Sequence, residues 1–496
     1  MSTANFPVLF LARAVLETAT PLSISSGNPD GVFDTALVRD ANGLPAIPGS
    51  SLAGVLRHLW WQTHGPASTD LLFGHQRGKE GQSSRLAVSW GTLLDSTGRA
   101  PQGLLLGEQA AQLLRDPLYQ HALAQRDAPV LRNRVRLTHR GAAADTGKFD
   151  RTVLPSGNRF AIELRLWAND AADTSEWHAI LALLAHPGLR LGGATRAGLG
   201  RLRCVSLHQG QFDLRQQAGA QALGTLGRDL TDTNALTPHA PAAHLPGWVT
   251  GTLRLRTDGL WRIGQGDVPL GQTTDKPADL LPVTEEHVEW RTTGQIASRR
   301  ALLVPAASLK GALAHRMAFH AHRLAGTWAD DRAPQAAGDP PRPSPVRALF
   351  GDIKDKQRSD AAQATGWAGC LFIDDVLLPL ARQKTAAIMH NAIDRFTGGV
   401  RDRMLFQEQS LFGGEVDIPL TLDLARLRQS PGQDSEAAEA GARSALRAAL
   451  QDLCTGRLAL GSRSTSGNGF FRGELSGPLA DWLQHADPTP PLEDAR

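Results

Sequence analysis

Two short stretches of this chain carry residue types suited to holding a phosphate backbone. Ile47-Pro48-Gly49-Ser50-Ser51 opens one apolar-periodic run, and Val304-Pro305-Ala306-Ala307-Ser308 opens another. Small side chains at a helix start let a polyanion approach the first-turn amides, where the helix field favours negative charge. Lys310 adds a cation to the second copy; its counterpart is Ala53, and Arg57 and His58 follow one turn later in the first copy. Ser50 or Ser51, and Ser308, are the expected helix caps. A capped helix that binds nothing has the same sequence, so the motif alone does not decide its use. Two glycine-rich stretches, LGGATRAGLGRLR from Leu191 and LGSRSTSGNGFFR from Leu460, combine a permissive backbone with Arg196, Arg201, Arg203, Arg463 and Arg472. That chemistry suits close backbone approach and charge pairing. Neither stretch has the GxxxxGK[ST] pattern of a nucleotide loop or the context of a dinucleotide fingerprint. A basic band of Arg134, Arg136, His139, Arg140 and Lys148 suits a phosphate track. Base reading is a poorer fit for it, because base edges in an A-form duplex are hard to reach.

The elements that must position these groups repeat along the chain. Pro48, Ser51, Leu52 and Gly54 recur as Pro305, Ser308, Leu309 and Gly311, all offset by 257 positions. The same offset carries Gly141, Phe149 and Gly157 onto Gly398, Phe406 and Gly414, and an offset of 269 joins the two glycine-rich stretches. Four ordered matches, with LLFG at Leu71 answering ALFG at Ala348, indicate a duplicated domain. The first domain is expected over 1–210, a linker over 211–247, the second domain over 248–486 and a frayed tail over 487–496. Residues 324–347 read as a proline-rich excursion after a helix. VLFLARAVLETATPL, RFAIELRLW and TGTLRLRTDGLW read as strands. Leu52, Leu56, Leu59 and Trp60 form the apolar stripe of one helix, and Leu309, Leu313 and Met317 that of its echo. Strand, helix and further strands in this order predict an α+β chain of two tandem ferredoxin-like domains.

Composition narrows the classes. The charge is +3, from 52 basic and 49 acidic residues, so polyanion binding must come from placement of the basic residues. Cys204, Cys370 and Cys454 are isolated and suggest neither a disulfide framework nor a thiolate zinc site. No run approaches the ~20 apolar residues that span a bilayer, so a cytoplasmic chain without membrane partners is expected.

IPGSSLAG with VPAASLKG, LFG after the helix, HNAIDRFTGG in the second half and the paired glycine-rich loops resemble the repeat-associated mysterious proteins (RAMPs) of CRISPR systems. The pattern is similar to the RNA-binding backbone subunits of type III effectors, with two domains fused. The resemblance covers most of 5–205 and 248–480. It implies a modified RNA-recognition fold with inserted thumb hairpins, a guide RNA, a complementary target RNA and other type III effector subunits as partners. It also implies target-RNA cleavage by an aspartate before the helix with a divalent metal, expected to be Mg2+. Asp34 occupies the position resembling that aspartate; Asp30 is a neighbouring alternative, and Asp40 resembles the acidic residue of the turn into the helix. A carboxylate there can hold a divalent ion or position a 2′-hydroxyl for attack on the adjacent phosphate.

The halves depart from each other. The repeat offset puts Arg291 where Asp34 stands, leaving Glu285, Glu286, Glu289, Asp275 or Asp279 as replacements, and a second cutting site is not expected. The thumb motif of the second half supplies His390, Asn391, Asp394, Arg395 and Arg401, with Asp394 expected to fix an arginine. A noncatalytic scaffold or guide-capping subunit has the same motifs without the cut.

Overall fold

The chain is described by a computed structural model over residues 6–27, 36–113, 115–138, 141–170, 174–242, 245–271, 277–291, 296–328, 342–352, 366–430 and 435–485. The alternation that begins at Val8 becomes strand β1 (Val8–Thr18). Even-numbered residues from Val8 to Leu16 face one core, while Leu9 and Leu11 face the other side. The remaining elements of the first domain are α1 (Gly49–Phe73), β2 (Gly91–Leu93), β3 (Arg159–Ala168), α2 (Ser175–Ala182) and β4 (Leu202–Asp213). Their sheet order is β4-β1-β3-β2 with antiparallel neighbours, which is the ferredoxin-like arrangement.

The second domain repeats it. β5 (Trp248–Trp261), α3 (Ala306–Leu324), β6 (Leu371–Ile373), β7 (Phe406–Asp423), α4 (Ser435–Cys454) and β8 (Phe470–Ser476) give the order β8-β5-β7-β6, again antiparallel. The two predicted helical stripes are buried: Leu52, Leu56, Leu59 and Trp60 in one core, Leu309, Leu313 and Met317 in the other. Truncating one of these leucines to alanine costs about 2–5 kcal/mol, so the stripes fix which face each helix turns inward.

Two local expectations are corrected. The serines do not cap: Pro48 and Pro305 occupy the cap positions, with no side-chain cap bond. Ser50, Ser51 and Ser308 therefore lie inside the first turn, and Ser51 and Ser308 donate their amides to the two proline carbonyls. At the second helix the missing acceptor comes from far away, since Asp375 Oδ1 accepts the amide of Ala306 at 2.8 Å.

The stretch 211–247, expected as a linker, is largely built into the first domain. It completes β4, forms a helix over Gln217–Thr225 and adds a short strand at Thr237–Pro238. Phe212 and Leu236 cover Leu9 and Leu11 on the back of the sheet. Arg13 locks it there, bonding Glu163 at 2.8 Å and the carbonyls of Gly227, Asp229 and Asp232. No single period was legible because strand end, helix and turn each contribute one or two apolar residues. The excursion begins where α3 ends at Leu324 and runs into a helix at Ser344–Phe350; its residues 329–341 lie outside the described ones.

A long hairpin rises from each domain at the expected place. In the first, Arg134–Leu137 pairs with Ala143–Phe149; in the second, Thr385–His390 pairs with the start of β7.

Candidate nucleic-acid interface

The two domains meet along a seam built by the first domain's glycine-rich loop and hairpin base and by the second domain's β6 end and α3 start. Trp248 and Phe372 of the second domain are buried in the first domain's core, with rings 5.7 Å apart. Around this apolar plug lies a ring of buried ion pairs. Arg132 Nε meets Glu285 at 2.5 Å and its Nη2 meets Asp375 at 3.0 Å. Asp374, 2% exposed, is shared by Arg190 and by Arg201 at 2.8 Å. Burial pushes the Asp375 carboxyl up to about 6 against the opposing field of Arg132. Such pairs fix register more than they add net stability, but removing one partner strands a buried charge.

At the same seam a second group of cations forms no carboxylate ion pair among the described residues, although Asp375 and Asp423 act on Arg134 and Arg196 through space. Burial lowers Lys310 to about 8, and the charges of Arg342, Arg196 and Arg134 add to the effect. Arg134 donates to the Ala197 carbonyl at 3.1 Å, Arg196 to that of Gly369, Arg342 to that of Gly351 at 3.2 Å and Arg426 to that of Ala368 at 2.8 Å. Arg196 also lies over Phe372 and Arg426 over Trp367, at 4.8 and 4.7 Å. Among the described residues none of these five cations has a carboxylate ion-pair partner. Four of them are oriented by neutral carbonyls or rings and none of the five is ion-paired, which leaves charge available to an anion.

The glycine-rich loops are conformational twins. Gly192 and Gly461, Ala194 and Arg463, Gly198 and Gly467, and Gly200 and Gly469 all have positive φ, and Ala194 and Arg463 match at 58° and 57°. A Cβ on Gly200 would strike the Leu191 carbonyl and one on Gly469 that of Leu460, each at 2.1 Å. Their surroundings differ. A Cβ on Gly198 would meet Asp375 Oδ1 at 2.0 Å and Ala306 at 2.9 Å, whereas Gly467 faces open space.

The expected contact residues fall into distinct settings. Arg134, Arg196 and Lys310 come together at the seam. Arg136 and Lys148 stand exposed on the first hairpin, while His139, Arg140 and Asp34, with Asp30 and Asp275, lie outside the described residues. Arg57 is held by Asp70 at 2.7 Å and the Gly74 carbonyl at 2.6 Å, so it braces the kinked α1. His390 and Arg463 approach the buried Glu408 at 3.3 and 3.6 Å, and Arg262 bonds it at 2.7 Å. Burial alone would raise Glu408, but Arg262 and Arg463 outweigh it and hold the carboxyl below its usual value. Asn391, Arg395 and Arg401 are exposed on the second hairpin, around Phe396 at 91% exposure. Asp394 fixes the turn, accepting the amides of Phe396 and Thr397, and pairs with no arginine among the described residues. Asp40 likewise closes a turn through the amides of Asn42 and Leu44.

The acids proposed as replacements in the second domain that fall among the described residues are occupied. Glu285 binds Arg132, Glu286 binds Arg300 at 3.0 Å, Glu289 binds Arg299 and Asp279 accepts the Gln407 amide at 2.8 Å. Among the described residues no three of His, Cys, Asp and Glu gather as a metal site. Sequence reading missed Arg132, Asp374, Asp375, Arg342 and Arg426. The Asp-Asp pair after Leu371-Phe372-Ile373 was a visible signal, but its arginine partners are some 170 to 240 residues upstream.

Two ferredoxin-like domains with inserted hairpins and twinned glycine loops define a duplicated RNA-recognition-type architecture. The chain belongs to the RAMP superfamily, whose family model matches residues 15–203 and 254–472. Among solved structures it is similar to a chain of the type III-B Cmr-beta complex bound to cognate target RNA, at 11% identity and a TM-score of 0.28, over 42% of this chain. It spans 62% of that chain. No curated protein matches the sequence.

Proposed function

We propose that this chain is a guide-RNA-binding backbone subunit of a type III CRISPR effector complex, acting in the cytoplasm with other effector subunits, and that its first domain cleaves complementary target RNA. The observation that supports the binding half is the convergence at the seam of Arg134 and Arg196 from one RAMP domain with Lys310 and Arg342 from the other. A phosphate chain crossing the seam would meet charge from both domains and open helix surface at Gly311, where an added Cβ touches nothing. The exposed hairpins, one bearing Arg136 and Lys148 and the other Arg395 and Arg401, extend the same chemistry outward. The cleaving half rests on the sequence position of Asp34. Its carboxylate would hold Mg2+ beside the scissile phosphate.

The test is to purify the chain with its native partners, sequence the RNA it retains, and add labelled complementary RNA with and without Mg2+. Retained guide and a single cut lost in Asp34→Ala are expected. Absence of retained RNA defeats the binding reading. Absence of any cut in the wild type turns the subunit into a scaffold or guide cap, and two cuts return activity to the second domain.

A further inference from the structure

The ion-paired acids of the seam are taken by three arginines. Asp374 takes Arg190 and Arg201, and Asp375 and Glu285 take Arg132. Lys310, Arg134, Arg196 and Arg342 form no carboxylate ion pair among the described residues; Asp375 and Asp423 act on Arg134 and Arg196 only through space, while the three arginines all oppose the charge of Lys310, so docking the domains sets like charges against it. Burial and these three arginines together lower the Lys310 ammonium to about 8. Beside it Gly311 occupies a helix interior where glycine is disfavoured by about 1 kcal/mol relative to alanine. Its helical backbone does not require glycine, and nothing lies within 4 Å of its absent Cβ. Packing therefore does not account for the glycine and no ion pair accounts for the Lys310 charge, whereas a polyanion lying against this face accounts for both.

Resting on the RNA-binding reading above, we propose that one phosphodiester of the bound RNA bridges the seam, held by Arg134 and Arg196 from the first domain and by Lys310 and Arg342 from the second. RNA binding and domain docking then reinforce each other. The bridging anion relieves the repulsion that docking creates, and by linkage the docked state binds RNA more tightly. Lys310 is the residue on which the linkage acts most visibly. It has a charge to neutralise, and no carboxylate or hydrogen bond among the described residues would be lost with it.

The experiment uses the full chain and a mixed-sequence single-stranded oligoribonucleotide, comparing wild type with Lys310→Met and Lys310→Arg. Affinity is measured across a salt series, and backbone hydrogen exchange is followed at Phe372–Asp375 and at the start of α3. For Lys310→Met, RNA affinity should fall about tenfold and the log–log salt slope by about one, the increments for losing one phosphate contact. The unliganded variant should melt no lower than wild type. RNA should slow joint exchange about tenfold in wild type and in Lys310→Arg, and much less in Lys310→Met. RNA bound by wild type with joint exchange unchanged, or a Lys310→Met slope equal to wild type, overturns the bridge while leaving RNA binding intact. A wild-type chain that binds no oligoribonucleotide overturns both readings.

Discussion

The two glycine-rich loops have the same backbone and opposite surroundings. In the first domain the loop is a socket: Gly198 sits against Asp375 and Ala306 of the second domain, and Arg190, Arg196 and Arg201 around it hold the incoming strand end. In the second domain the matching positions are Gly467, Ala459, Thr465 and Phe470, and the loop is open. Duplication has copied the conformation while the charges that make it a joint belong to one copy. A shared backbone therefore does not establish a shared role; the side chains that reach it do.

The sharpest way to break this contrast is to remove the acid at its centre. Asp374→Ala leaves Arg190 buried and Arg201 half-buried without their anion, and should lose about 3–5 kcal/mol in chemical denaturation. A loss under 1 kcal/mol would mean that the apolar plug of Trp248 and Phe372 alone carries the joint. Next comes the matched pair Gly198→Ala and Gly467→Ala. Both force a side chain into the left-handed region at about 1–2 kcal/mol, but only Gly198→Ala also collides with the docked domain, for a total of about 3–4 kcal/mol. Equal losses would abolish the distinction between socket and open loop.

A third prediction concerns pH. Lys310 has a folded value near 8 and an ordinary value of 10.5, so the unfolded chain binds more protons between them. The contribution of Lys310 to stability is unfavourable below about 8 and is relieved as the pH rises toward 10.5. RNA affinity should move the other way, weakening above about 8 as the ammonium beside Arg134, Arg196 and Arg342 loses its charge. Titrations of melting temperature and of oligoribonucleotide affinity, each compared with Lys310→Met, check both signs. The smallest expected effect is at the helix glycines: Gly54→Ala and Gly311→Ala should each stabilise the unliganded chain by up to about 1 kcal/mol, and Gly311→Ala should weaken RNA binding. Destabilisation by either would show that the glycine serves packing after all.

Much of the fold was legible because it depends on short-range periodicity. Period-two alternation from Val8 and Trp248 and the i, i+4 stripes from Leu52 and Leu309 report which face is buried, whatever they are buried against. The duplicated positions likewise located both hairpins and both loops. Helix capping was misread because a proline two or three residues before the serine already occupies the cap, and Asp375 supplies a bond across 69 residues of chain. The stretch 211–247 was misread because its apolar residues serve a sheet face that no local period reveals.

The sequence by itself determined a repeated α+β unit, its burial pattern and a stock of basic residues on loops and helix starts. Only the tertiary structure decided which of those charges are spent. Arg57, Arg132 and Arg190 are ion-paired with acids inside the protein, while Arg134, Arg196, Lys310 and Arg342 meet without a carboxylate ion pair among the described residues. The physical reason is that an ion pair forms between neighbours within a few ångströms in space, and the docking of one domain against another sets those neighbours over separations that no sequence window contains.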